Sequence, residues 1–245
     1  MFGKQFRISS SYDKTLLWLF LKKNLSDIKS DTGVDLAGGS MLNKRFFKTK
    51  KYIAVDINHI KLLEGKTKNP DAIVINDTLQ NYLLNISKKP NLLVCVQTFG
   101  TNLFFEHEET FKVIKDMSIK LADGGSMIFN IGTFGDVNLK KLKDAILPTL
   151  NKQFHNVEFK YYGAFYKKSS PPPRWKITDD GIVRTKKKLN IKSGLFKKLG
   201  YFFKSLSTLS VAYAMYKVPQ LRTLFGSKKF NLYCFCYKKK STLEN

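Results

Sequence analysis

This sequence has little with which to cross-link itself or to chelate. Three cysteines among 245 residues cannot build a disulfide framework, and no Cys-x-x-Cys pair or Cys/His spacing suggests zinc. Long apolar runs are also missing. Leu16 to Leu21 falls far short of the roughly 20 residues that cross a bilayer, and Lys22 and Lys23 follow it without a small-residue cleavage site. The sequence therefore predicts no transmembrane helix and no signal peptide, and a reducing cytoplasm is the expected location. Acids are the third scarcity: 19 Asp and Glu stand against 43 Lys and Arg, for a formal charge of +24 and a pI near 9.9. Such a field draws polyanions, whether nucleic acid, anionic lipid headgroups or acidic glycans, but does not identify a fold. The imbalance is local, since from Gly181 to the end fifteen basic residues face one acid, Glu244.

Aromatic residues are not scarce. With 20 Phe, 11 Tyr and 43% hydrophobic residues, the chain has ample material for a core, which excludes wholesale disorder. Its length suits one large domain. The expected layout is a single domain over 1–245, with an N-terminal helical segment (1–30), a core (31–165), a basic helical insertion or lid (166–229) and a final strand (230–240).

Short apolar runs mark the strands. Gly33 to Ala37, Tyr52 to Val55, Ala72 to Ile75, Asn91 to Val96 and Ser126 to Ile131 each read as buried strands, Val157 to Phe165 alternates as a sixth, and Phe230 to Tyr237 as a seventh. Leu16, Leu17, Phe20 and Leu25 lie at helical spacing near the N-terminus, as do Phe111, Ile114, Met117 and Leu121 before Gly124-Gly125. Leu139 to Leu150 predicts a further helix, bent or ended near Pro148. Strands alternating with helices predict an α/β fold: a Rossmann-like, mostly parallel seven-stranded sheet with helices on both faces.

Ligands of such sheets bind outside the carboxyl ends of the strands, where strand order reverses. The informative residues fall there. Asp35-Leu36-Ala37-Gly38-Gly39 closes strand one with small residues that let a ligand approach the backbone. Asp56 closes strand two, placed to accept hydrogen bonds from ribose hydroxyls; Asp77 closes strand three, and Gln97 strand four. A nicotinamide dehydrogenase shares the opening but requires glycine three positions after Gly39, where this chain has Leu42.

In order and spacing these residues resemble the class I S-adenosylmethionine-dependent methyltransferases, particularly the type 11 group, from about Gly33 to Gly132. In that family a first-strand acid precedes a glycine-rich turn, which Asp35 to Met41 resembles; Ala37 stands at the usual first glycine and Met41 at the third. Leu121-Ala122-Asp123-Gly124-Gly125-Ser126-Met127-Ile128 is similar to the family's helix end, turn and fifth strand. The resemblance implies S-adenosylmethionine as cofactor, no metal, an antiparallel last strand, and a cofactor set of Asp35, Ala37, Gly38, Gly39, Asp56, Ile57, Asp77, Thr78 and Gln97. Asp56 would take the ribose, Asp77 the adenine side, and Gln97 the methionine and acceptor side.

The acceptor is narrowed by exclusion. Methyltransferases of exocyclic base amines carry Asn or Asp, two prolines and an aromatic after strand four, whereas this chain has Gln97-Thr98-Phe99-Gly100. Cys95 lies inside a strand and Cys234 and Cys236 share a strand face, so all three read as core rather than as nucleophiles. A small-molecule or glycan acceptor with a hydroxyl or similar nucleophile is expected, with His107 the candidate base and no other catalytic residue assigned. In the insertion, Leu195, Phe196, Leu199, Phe202, Phe203, Leu206, Leu209, Tyr213 and Tyr216 recur at helical spacing. That stripe either packs on the sheet or lies on an anionic membrane at its inner face. The competing functional reading is a non-catalytic module of the same fold that binds RNA or an anionic membrane surface, or an RNA methyltransferase.

Overall fold

The computed structural model describes residues 12–99, 107–132, 139–163, 175–178, 181–184, 209–218 and 230–241. Helix α1 (Tyr12–Leu25) leads into β1 (Lys29–Leu36), and a short 3-10 turn (Lys44–Phe46) connects it to β2 (Lys48–Asp56). Then come α2 (His59–Lys68), β3 (Ile73–Asn76), α3 (Leu79–Asn85), β4 (Leu92–Phe99), α4 (His107–Lys120), β5 (Ser126–Gly132), α5 (Leu139–Gln153) and β6 (Phe154–Gly163). A hairpin of β7 (Trp175–Thr178) and β8 (Gly181–Arg184) precedes a helical stretch at 209–217 and β9 (Phe230–Lys239).

Seven strands form one sheet in the order β3-β2-β1-β4-β5-β9-β6. All neighbours run parallel except β9, which inserts antiparallel between β5 and β6: Cys236 faces Met127 on one side and Val157 on the other. This is the expected seven-stranded architecture. Alternate residues of each strand feed opposite cores. Val34, Leu36, Val55, Leu93 and Cys95 meet α3, α4 and α5 on one face. Leu92, Val94, Ile128 and Tyr233 meet Leu16, Leu17, Phe20 and Leu25 of α1 on the other, while Tyr52 and Ala54 meet Met41 and Leu62 further along it. Covering both faces is what permits near-continuous apolar strands.

Some boundaries differ from expectation. β1 and β2 begin at Lys29 and Lys48 rather than Gly33 and Tyr52, because ladder pairing such as Lys29↔Lys48 continues beyond the buried stretch, and β1 thereby enters the segment expected to be helical. β4 continues through Gln97 to Phe99, and β6 starts at Phe154. Pro148 does not end α5, because Ile146 and Leu150, buried on either side of it, hold both halves against the sheet.

The insertion is not purely helical, since β7 and β8 pair as a separate two-stranded sheet. Trp-Lys-Ile-Thr and Gly-Ile-Val-Arg, two residues apart, are a hairpin pattern that the neighbouring prolines and lysines obscure. Of the expected long helix, 209–217 is described. Its buried residues are Ala212 and Met215, packed with α1 and Tyr233, whereas Tyr213, placed on the apolar stripe by spacing, is 51% exposed, with the Lys217 ammonium over its ring. The part of the stripe from Leu195 to Leu206 lies outside the described residues. No helix among the described residues is long and apolar enough to cross a membrane.

Candidate active site

β1 lies between β2 and β4, so the connections after β1 and β4 leave in opposite directions and part at the carboxyl edge. Such a reversal opens a crevice. The register aligns its walls: Leu36 pairs with Val55 and Cys95, and Asp56 with Asn76.

The turn after β1 is tightly curled. Ala37, Gly39 and Met41 all have left-handed φ, at 57°, 49° and 56°. Two of these are not glycine, and each such L-residue carries roughly 1–2 kcal/mol of strain. The turn is held by Gly38 N–H on the Val55 carbonyl at 3.1 Å and by Met41 N–H on the Gly38 carbonyl at 2.9 Å. A Cβ on Gly38 would stand 3.0 Å from the Asp35 carbonyl, so only a small residue fits there. Met41 turns inward beneath α2, where Gly65 makes room: a Cβ on Gly65 would come within 2.8 Å of Met41 Cγ.

Two carboxylates lie beneath and beside this turn. Asp35 is wholly buried; Tyr52 Oη donates to its Oδ2 at 2.8 Å, and its buried Oδ1 has no hydrogen-bond partner among the described residues. Burial pushes its pKa up to about 7, opposed by Tyr52 and the nearby Asn43. Burial and that carboxyl together hold the Tyr52 phenol well above its usual range. Asp56 is half-buried, and its oxygens are fixed separately: Gly39 N–H donates to Oδ2 and Asn58 N–H to Oδ1, each at 2.8 Å. Burial raises its pKa, and the two N–H groups counter the rise.

The remaining sequence candidates are spread along the same edge. Ile57, next to Asp56, is 37% exposed. Asp77 follows β3; its N–H donates to the Asp56 carbonyl at 3.3 Å, and its carboxylate accepts the Thr78 N–H at 2.7 Å. Thr78 caps α3 through Oγ1, which accepts the Asn81 N–H at 3.1 Å. Gln97 sits in a bulge of β4, exposed, with φ 61°, and its N–H donates to Asn130 Oδ1 at 2.6 Å. His107 opens α4; its side chain and residues 100–106, which connect it to β4, lie outside the described set. Among the described residues no group of three His, Cys, Asp or Glu side chains could hold a metal ion.

Two residues escaped the sequence reading. Asn76 donates through Nδ2 to the Asp56 carbonyl at 2.9 Å and the Ile57 carbonyl at 3.0 Å, tying the end of β3 to that of β2. Asn130, 4% exposed, anchors Gln97 from β5. A lone asparagine inside an apolar strand was the available signal, since a buried amide needs a partner.

The same architecture occurs in solved structures. One is the plantazolicin methyltransferase BamL, crystallised with a desmethyl analogue and SAH: TM-score 0.51, 13% identity, 94% of this chain and 84% of that one covered. The fold is that of the class I S-adenosylmethionine-dependent methyltransferases. The N-methyltransferase NodS from Bradyrhizobium japonicum WM9 aligns at TM-score 0.49 and 9% identity, covering 92% of this chain and 95% of its own. An rRNA methylase from Streptococcus thermophilus aligns at TM-score 0.41 and 18% identity over 64% and 90%. No protein-family model matches the sequence, and no curated protein does.

Proposed function

We propose that this chain binds S-adenosylmethionine along the carboxyl edge of its sheet and transfers the methyl group to a hydroxyl or similar nucleophile on a sugar, glycan or lipid-linked acceptor. The observation that carries the reading is the anchoring of Asp56. Both carboxylate oxygens are pinned by backbone N–H groups at 2.8 Å, one of them from the strained turn after β1. Each oxygen keeps lone-pair capacity, and a carboxylate held this way suits two adjacent hydroxyls such as those of a ribose.

The residues present fit the rest of the cofactor. Ile57 offers an exposed apolar surface beside Asp56 for a flat base, with Asp77 and Thr78 following it. Ala37 to Gly39 supply a close-approach backbone, and buried Asp35 supplies an acid behind it. When bound, the cofactor supplies a methyl group already activated on a sulfonium. The chain's task is then to hold the acceptor in line and exclude water, which positioning alone can make a large effect. Gln97 is the residue for the methyl-transfer side, and His107 is the candidate base.

The second reading, RNA as acceptor or as the ligand of a non-catalytic module, is favoured by the fifteen-to-one basic excess after Gly181. Steep loss of RNA retention with salt is its signature.

Calorimetry with S-adenosylhomocysteine tests the donor half. The wild type binds, and Asp56→Ala binds roughly a hundredfold more weakly, as expected for loss of two charge-assisted hydrogen bonds. A wild type that does not bind, or an Asp56→Ala variant that binds equally well, overturns the proposal.

A further inference from the structure

We infer that Asn130 is a positioning residue, holding the β4 bulge so that Gln97 presents its side-chain amide at the methyl-transfer end of the site. The inference rests on the methyl-transfer reading above. Between Cys95 and Phe99 the pairing of β4 with β5 shifts register: Cys95 faces Phe129, but Phe99 faces Ile131. The chain makes this bulge while keeping Val96, Thr98 and Phe99 buried, so Gln97 is its exposed residue.

Gln97 reaches that position through a left-handed φ of 61°, which an L-residue does not adopt without support. The support comes from the next strand, where Asn130 Oδ1 accepts the Gln97 N–H at 2.6 Å. Asn130 is 4% exposed and lies between Phe129 and Ile131, opposite Tyr233 of β9. An apolar residue would suit this environment better, because a buried amide is costly unless it is hydrogen-bonded. Its place there is explained by the bond it makes.

The amide of Gln97 has chemistry suited to this end of the site. Its oxygen carries enough negative charge to attract the hydrogens of a methyl group on a positive sulfur. Being neutral, it is a poor nucleophile and does not compete for that methyl group.

The test compares the affinities of S-adenosylmethionine and S-adenosylhomocysteine, which differ by the methyl group and its charge, measured by calorimetry on the full chain. Asn130→Ala is expected to lower the methionine-to-homocysteine affinity ratio roughly tenfold while S-adenosylhomocysteine binding stays within about twofold. Gln97→Ala should do the same, and the double variant should be no worse than either single one, because both remove one interaction. Asn130→Asp keeps the acceptor and should largely retain the ratio. If Asn130→Ala does not fold, Asn130→Ser serves in its place, its shorter hydroxyl leaving the Gln97 N–H unreached. An unchanged ratio in the variant overturns the inference alone. So do parallel losses for both ligands that add in the double variant, the mark of a merely structural asparagine. A wild type that binds neither ligand overturns the methyl-transfer reading and the inference with it.

Discussion

The two ends of the sheet treat their polar groups and their backbone differently. At the carboxyl edge Ala37, Met41 and Gln97 are held at left-handed φ, and a buried carboxyl, Asp35, keeps one oxygen without a partner among the described residues. At the amino edge the last carbonyls of α4 are capped from a distance: the Lys239 ammonium, 8% exposed, donates to Ile119 at 3.0 Å and Leu121 at 2.7 Å. The turn there is a glycine pair, with Gly124 N–H on the Lys239 carbonyl at 2.8 Å and Lys239 N–H on the Gly125 carbonyl at 2.9 Å. Exposed Lys238, at φ 53°, is the non-glycine residue under strain at that end. Left-handed strain on non-glycine residues thus gathers where the crevice opens, as expected of an edge shaped for a ligand rather than for stability.

This contrast predicts effects of opposite sign at the two ends. The largest concerns Asp35. Its pKa rises from 3.8 in the unfolded chain to about 7 in the folded one, so between those values the folded protein retains a proton that the unfolded chain has released. Stability from this group is full below the lower value, falls as pH rises toward 7 and is flat above; the total is at most about 4 kcal/mol. Asp35→Asn should flatten most of that slope and raise stability at pH 8, leaving the smaller same-sign contribution of Asp56. Denaturant unfolding from pH 4.5 to 8 would break the comparison if the two proteins ran parallel.

At the amino edge the sign reverses. Lys239→Met strips one buried and one partly buried carbonyl of their donor and should lower the unfolding free energy by about 3 kcal/mol, with S-adenosylhomocysteine affinity unchanged. An affinity that fell in step with stability would show that the two edges are not independent.

Gly65→Ala should destabilise by about 2 kcal/mol, through overlap with Met41 Cγ and with the Ser40 backbone at 2.9 Å. Combined with Met41→Ala the two losses should be less than additive, since one clash is then gone; strict additivity in thermal unfolding would argue against the packing described. The smallest effect is Ala37→Gly. Relief of the left-handed strain outweighs the added entropy of glycine by about 0.5 kcal/mol, a gain visible as a slightly higher melting temperature.

Much of the fold was legible along the chain, and for local reasons. Strand alternation and short apolar runs predicted seven strands, and the acids and small residues closing three of them, with Gln97 at a fourth, marked the carboxyl edge. The misreadings are equally physical. The polar starts of β1 and β2 carry no apolar signal, and a short hairpin hid among prolines and lysines. Ala37 and Met41 showed as departures from a glycine pattern, but their left-handed backbone and the space that Gly65 leaves could not be read from the pattern.

By itself, the sequence determined the order of the seven main strands along the chain, their apolar faces and the acids at the ends of the first three, because these depend on neighbours a few positions away. Only the tertiary structure decided which polar atoms meet. Asn130 finds Gln97 across 33 residues, and Lys239 finds Ile119 of α4 across 120, and no local pattern encodes either distance. Hydrogen bonds act at about 3 Å whatever the separation along the chain, so the strained and anchored residues of the crevice emerge only once the strands lie side by side.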